Sequence, residues 1–424
     1  MRTAFVKSLE LLHKKKQIII FMLVCFFVVF GILAVSEKMN GISVSGNSGN
    51  SGNSAGKNEN TTLTAGINML EKQDYAQAGR LFDESLKKDP DSYLAYYGKG
   101  RIDFRNSEFD SAKKYFEKSV SINPDFAPAQ MWLGKVYHFR KDFHKAMEYY
   151  NKAVALDPGY ADAYCHMGYA QYYLDNEEAA IKYLDKCIEL NPKHSVAYFG
   201  KARILNEKED FKNAEACFTM AVQNDPMYAE AYQQRGILYA GELKYKNALE
   251  DLNKALKLEP DNISSLHERG TIYFWSGNYK EALRDFDLAQ KLYCKPDGRK
   301  TDKDLTGYLN LEKGLSLYRM GEKAQGQDYI KKGLKTIKPS DEDEDWDLIG
   351  YGYMALGEND TAFNYFNKYK EGDLHHALYG RAVIYLGRGQ KDKARKDLEE
   401  SVGIMPDTWV KRDSEMLLEK MGIK

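Results

Sequence analysis

Residues 127–160 read APAQMWLGKVYHFRKDFHKAMEYYNKAVALDPGY, and the same pattern returns every 34 residues along the chain. Its proline belongs to a ladder, Pro90, Pro124, Pro158, Pro192, Pro226 and Pro260, with 34 residues between successive rungs. Six of the ten prolines stand on that ladder, so an internal repeat is read before anything else. Twelve residues ahead of each proline stands Ala78, Ala112, Ala146, Ala180, Ala214 or Ala248. Eight ahead comes a large apolar residue: Phe82, Phe116, Tyr150, Leu184, Phe218 or Leu252. Five ahead comes a small one, Ser85, Ser119, Ala153, Cys187, Ala221 or Ala255, and twenty-four ahead Gly66, Gly100, Gly134, Gly168, Ala202 or Gly236.

This spacing predicts a helical hairpin. The alanine and the large residue four further on share one helix face. The small positions let two helices approach closely, and the proline ends the second helix because it cannot continue the hydrogen-bond ladder. An acidic or amide residue, such as Asp89, Asn123, Asp157 or Asn191, precedes the proline.

The pattern resembles the tetratricopeptide repeat family, with Leu133-Gly134, Tyr137, Ala146, Tyr150, Ala153 and Pro158 as the fullest match. A seventh copy carries Gly270, Tyr273, Ala282, Phe286 and Ala289, with its proline slipped to Pro296. Three looser copies follow. One has Gly314, Gly321 and Pro339, the next Gly350, Tyr353, Gly357, Ala362 and Phe366, and the last Tyr385, Ala394, Leu398, Ser401 and Pro406. The resemblance implies an all-α, right-handed solenoid of about ten helix hairpins. Gly326 and Gly333 stand where the regular copies have alanine or another small residue, which is expected to weaken the eighth hairpin by up to ~1 kcal/mol each.

The chain then divides into a basic segment (1–16), an apolar segment (17–35), a linker (36–60) and seven regular repeats (61–294). An insertion (295–304), three degenerate repeats (305–406) and a capping helix (407–424) complete it. Residues 17–35, QIIIFMLVCFFVVFGILAV, are uncharged and long enough to span a bilayer as a helix. Arg2, Lys7, Lys14, Lys15 and Lys16 precede them, whereas only Lys38 follows closely, so the positive-inside bias leaves the N-terminus cytoplasmic and exports the repeats. Ala34-Val35-Ser36 offers a cleavage pattern, and a secreted product is the alternative. The stretch GISVSGNSGNSGNSAGKNENTT that follows is too polar to offset chain entropy and reads as a flexible tether.

Of the 424 residues, 61 are Lys or Arg and 62 Asp or Glu, a net charge of −1 that argues against a nucleic-acid partner. Aromatic residues make up 13%, ample for a packed core. No G-x-S-x-G, phosphate loop or H-E-x-x-H is found, and the acidic run 341–345 lacks the glycine and terminal glutamate of a calcium loop. Cys165-His166 has no third catalytic partner at a readable spacing, and His375-His376 reads as a polar helix start. Cys187 stands at a packing position, and an oxidising compartment would permit a Cys187–Cys217 disulfide. Neither an enzyme, nor a cofactor, nor a metal site is expected.

Function is therefore expected on the surface. In the family, positions on the first helix of each hairpin face ligands. The resemblance implies such roles for Tyr97, Arg101, Phe104 and Arg105, for Lys135, His138 and Phe139, and for Tyr169, Tyr172, Tyr173, Phe199 and Arg203. His267, Phe274 and Trp275 occupy matching places later. Aromatic surface with interspersed cations suits an extended protein or peptide of some acidic character. The clamp that co-chaperone members use on a carboxylate tail is absent, since its Lys-Asn pair is replaced by Tyr97 and Arg101, Met131 and Lys135, or Cys165 and Tyr169. The expectation is a membrane-anchored scaffold for envelope or secreted proteins. A regulatory or assembly subunit of a membrane-bound complex is the alternative.

Overall fold

The computed structural model describes residues 55–293, 303–337, 346–368 and 376–422. All elements among the described residues are helical. Two compact units divide between Ile204 and Leu205.

The N-terminal unit pairs α1 (Ala55–Glu71) with α2 (Tyr75–Lys88) and α3 (Tyr93–Arg105) with α4 (Phe109–Ile122). Next come α5 (Ala127–Phe139) with α6 (Phe143–Leu156) and α7 (Ala161–Tyr173) with α8 (Glu177–Leu190). The division falls near the end of α9 (Ser195–Glu207). Residues 55–60, assigned to the tether by composition, belong to α1, since a nucleated helix extends into flanking residues at little cost.

The C-terminal unit begins with α10 (Phe211–Asn224) and continues as hairpins of α11 (Ala229–Gly241) with α12 (Tyr245–Leu258) and α13 (Ile263–Ser276) with α14 (Tyr279–Tyr293). Three more hairpins follow: α15 (Lys303–Arg319) with α16 (Lys323–Thr336), α17 (Trp346–Ala355) with α18 (Asn359–Phe366), and α19 (Ala377–Gly387) with α20 (Lys391–Ile404). A last helix, α21 (Trp409–Lys420), packs on α20. Among the described residues no helix is long and apolar enough to cross a membrane. The apolar segment 17–35, most of the 295–304 insertion and the acidic run 341–345 lie outside the described residues.

Local chemistry explains the hairpins. Three second helices start on an aspartate side-chain cap: Asp74 accepts from the Gln77 amide at 3.0 Å, Asp142 from Lys145 at 3.1 Å and Asp210 from Asn213 at 3.4 Å. They end at the acidic or amide residue before the proline. Asp157, for example, donates its N–H to Ala153 while its carboxylate accepts from Gly159 at 2.9 Å, closing a turn that the proline then fixes. Ala146, Tyr150 and Ala153 are fully buried. A Cβ placed on Gly100 would stand 2.6 Å from the ring of Phe116, which is why glycine recurs opposite the large residue.

Three features were not read from the sequence. The turn between paired helices holds one residue with positive φ: Gln73, Ser107, Lys141, Asp175, Glu209, Leu243 and Gly277, again 34 apart. Only the last is glycine. Second, Arg235, Arg269 and Arg381 each make a two-pronged ion pair with the aspartate 16 residues on, Asp251, Asp285 and Asp397, at 2.6–2.8 Å. All three aspartates are buried.

Third, Gly326 and Gly333 are where the two helices of the eighth hairpin meet backbone to backbone. Their α carbons meet the backbone of α15 so closely that a Cβ on either would lie 2.7 Å from a carbonyl oxygen, of Gly314 or Gly307 respectively. Glycine there permits a close approach that alanine would prevent, and this contact opposes the helix cost expected of glycine.

Candidate functional site

The first-helix residues named above fall into two groups in the N-terminal unit. Tyr97, Phe104 and Phe199 are buried among the hairpins. Tyr97 meets Phe116 and Phe126 edge-on or tilted at 6.1 and 5.1 Å, and Phe104 meets Trp132 at 5.1 Å, so their rings serve packing. Phe139 and Tyr173 are instead 37% and 40% exposed. Arg101, Arg105, Lys135, Tyr169, Tyr172 and Arg203 are partly exposed.

The cations lie over rings. Arg105 stands 4.0 Å from the Tyr75 centroid, Lys135 4.0 Å from Trp132, Arg101 5.1 Å from Trp132 and Arg203 5.5 Å from Tyr172. This holds long side chains in place ahead of any ligand, lowering the entropy lost on binding.

Aromatic contacts link neighbouring hairpins. Phe139 packs on Phe104 and stacks on Phe109 at 5.6 Å, and Tyr173 stacks on Phe143 at 4.9 Å with His138 edge-on at 5.5 Å. Phe109 and Phe143 were not read as part of this face. Their signal was present, because an aromatic opens the second helix at 75, 109, 143, 211, 245 and 279.

At the end of the unit, Gly168, Tyr169, Tyr172, Leu184, Gly200, Arg203 and Ile204 line a small, shallow open cleft. Three of its walls, Tyr169, Tyr172 and Arg203, are residues the repeat register pointed to. Tyr169 donates its hydroxyl to the Val196 carbonyl at 3.0 Å, and a Cβ on Gly200 would stand 2.9 Å from that phenol. Glycine at 200 thus lets Tyr169 lie flat against α9.

Burial, with help from the Lys135 charge, lowers the His138 imidazole to about 4. His166, stacked on Tyr150 at 5.8 Å, is pushed well down by burial and the same lysine. Both rings are neutral at pH 7, so the positive character of the face comes from lysine and arginine.

His267, Phe274 and Trp275, the matching residues of the C-terminal unit, belong to its interior. His267 bonds Glu312 at 2.8 Å, Phe274 is fully buried, and Trp275 stacks on His376 at 3.9 Å. His376 is no mere polar helix start, for it also meets the Tyr245 hydroxyl at 2.9 Å and Asp347 at 3.3 Å. Cys187 and Cys217 are not joined by a disulfide. Among the described residues one group could hold a metal ion, Cys165, Cys187 and His194, against the expectation of none.

Family models described as tetratricopeptide repeat match residues 161–194, 229–262 and 375–408, and a second such model matches 63–120 and 99–161. The matched segments are tetratricopeptide repeats. No curated protein matches it. Among solved structures it is similar to YrrB, described as a TPR protein with an unusual peptide-binding site, at 24% identity over 44% of this chain and 96% of that one, TM-score 0.34. It is also similar to PilF of Pseudomonas aeruginosa, at 16% identity over 50% of this chain and 97% of that one, TM-score 0.45. A tetratricopeptide repeat protein from Parabacteroides merdae matches at 20% identity over 57% and 95%, TM-score 0.43.

Proposed function

We propose that the chain is a non-enzymatic, membrane-anchored scaffold whose first-helix face in residues 93–204 binds an extended protein segment carrying acidic residues. Families built on this repeat typically serve protein–protein interaction. The observation that carries the reading here is the pocket of Tyr169, Tyr172 and Arg203, open beside the exposed ring of Tyr173. Aromatic walls give contact area with few rotors to freeze, and the cations give register.

The apolar segment 17–35 and its basic flank would hold the repeats outside the cytoplasmic membrane, on a tether of about 25 Å. Signal cleavage and release is the alternative topology. An assembly subunit of a membrane complex is the alternative role, favoured by the same segment because it supplies a second docking element.

Affinity capture with the full chain and with a chain lacking residues 1–54, which keeps α1 whole, tests both roles. A scaffold retains its partner in both forms, and a complex subunit loses it with the anchor. Arg101→Ala with Arg203→Ala should weaken capture and lower its salt sensitivity, because paired charges are screened by ions. Tyr172→Ala should weaken it with little change in salt response. Folded variants that capture as well as the parent would refute this face.

A further inference from the structure

At the fourth hairpin, three departures from the repeat meet at one point. Where other regular copies have Leu63, Tyr97, Met131, Phe199, Gln233 or His267, this one has Cys165. Where they have serine or alanine it has Cys187, and where Ser92, Phe126, Tyr160, Tyr228 and Asn262 stand in other copies it has His194. The residues come from α7, α8 and the loop before α9. Their ligand atoms lie within 4.8 Å of one another. The two thiols share a hydrogen bond, and His194 bonds Cys187.

Packing accounts for two sulfurs in an apolar layer. Helix capping accounts for the Nδ1 of the imidazole beside them, as Asn262 does in a later copy, but not for its setting against two thiols. That ring is also held by its Nε2, 2.9 Å from Asp162, and by the Ala197 amide, which donates to Nδ1 at 3.1 Å. The geometry points to a zinc(II) site formed by Cys165, Cys187 and His194, with Asp162 as the carboxylate that orients the histidine.

Two thiolates and a neutral imidazole around Zn²⁺ carry no net charge, which suits a place where Cys165 and Cys187 are buried. Zinc–sulfur bonds of ~2.3 Å and a zinc–nitrogen bond of ~2.0 Å bring tetrahedral ligand atoms to about 3.5–4 Å apart, a small contraction of the group as it stands. With Nδ1 turned to the metal, the Nε2 bond to Asp162 is the carboxylate–histidine–zinc arrangement found at many zinc sites. The Ala197 amide it releases opens a helix, where water can take it. His194 retains 14% side-chain exposure and gives the ion a way in. Binding costs two thiol protons, which pass to solvent. The staple would tie α7 and α8 to the start of α9, beneath the pocket that Tyr169 and Arg203 line.

The test uses the full chain, purified under reducing conditions and titrated with zinc chloride, then with cobalt(II) chloride as a spectroscopic substitute. One zinc per chain, a raised Tm and a cobalt spectrum with thiolate charge-transfer and tetrahedral bands are expected. Cys187→Ala restores the residue other repeats carry and should fold, yet lose zinc affinity by roughly a hundredfold or more. Asp162→Asn should lose about 10–100-fold and keep the cobalt thiolate bands. Cys217→Ser should match the parent. Absence of stoichiometric zinc, an oxygen-type octahedral cobalt spectrum, equal loss in Cys217→Ser, or uptake of copper(I) without zinc would each overturn the assignment.

Discussion

Gly314 and Gly326 face each other across the eighth hairpin so closely that a Cβ on either would stand 2.7 Å from the other's carbonyl oxygen. Both residues sit in helices, where alanine is ordinarily preferred by ~1 kcal/mol. Backbone clash outweighs that preference. Gly326→Ala is expected to destabilise the chain by about 1–3 kcal/mol. Urea or thermal melts decide the sign, and a gain in stability would show that the two helices can separate without loss.

The buried arginine–aspartate pairs give a second prediction. Asp285 is 8% exposed in its side chain and takes both prongs of Arg269 at 2.7 Å. Asp285→Ala leaves a partly exposed guanidinium that keeps only its bond to Asn253, and should cost about 1–3 kcal/mol. Arg269→Leu combined with Asp285→Leu should cost much less, because no uncompensated charge remains. A double-mutant cycle measures the difference.

How far the sequence was legible follows from the kind of signal each feature leaves. Ala146, Tyr150 and Pro158 announce the hairpin because packing and helix ending both demand particular residue types. The turn residues do not, since Gln73, Lys141 and Leu243 adopt positive φ without being glycine or asparagine, and their shared conformation shows only in the backbone. The arginine–aspartate pairs occupy positions that tyrosines, among other residues, fill in other copies, so no repeat-wide pattern flags them. On the binding face, register placed Tyr169, Tyr172 and Arg203 together but could not separate them from Tyr97, Phe104 and Phe199. Whether a ring at a given position faces inward depends on the neighbouring hairpin, as Phe126 shows for Tyr97. The Cys165, Cys187 and His194 group was missed because its members are 29 residues apart in sequence and each replaces an apolar or small residue that packing alone would permit.

The turn conformation is testable at an exposed position. Gln73 has a φ of 63° and is exposed. Gln73→Gly should remove left-handed strain and raise stability by ~0.5–1 kcal/mol after the entropy that glycine costs the unfolded chain. A fall in Tm would mean that the side chain contributes more than its backbone strain removes.

His138 gives a dependence on pH. Its pKa falls from 6.5 in the unfolded chain to about 4 in the fold. Between those values the unfolded state binds the proton and the native state does not, so stability drops as pH falls from 6.5 and levels off below about 4. The loss is on the order of 3 kcal/mol. His138→Phe, which keeps a ring edge-on to Phe143 and Tyr173, should flatten that slope. His166 acts in the same direction and leaves a residual dependence. An unchanged slope in the variant would assign the effect elsewhere.

The most direct measurement places a photo-crosslinking amino acid, p-benzoylphenylalanine, at Tyr173 on the proposed face and at Lys152, exposed on the second helix of the third hairpin. Irradiation of intact cells is followed by mass spectrometry of the adducts. The account predicts a discrete protein adduct from position 173 that diminishes with Arg101→Ala and Arg203→Ala, and none from position 152. Adducts from 152 alone, or adducts at 173 indifferent to the two arginines, would contradict it.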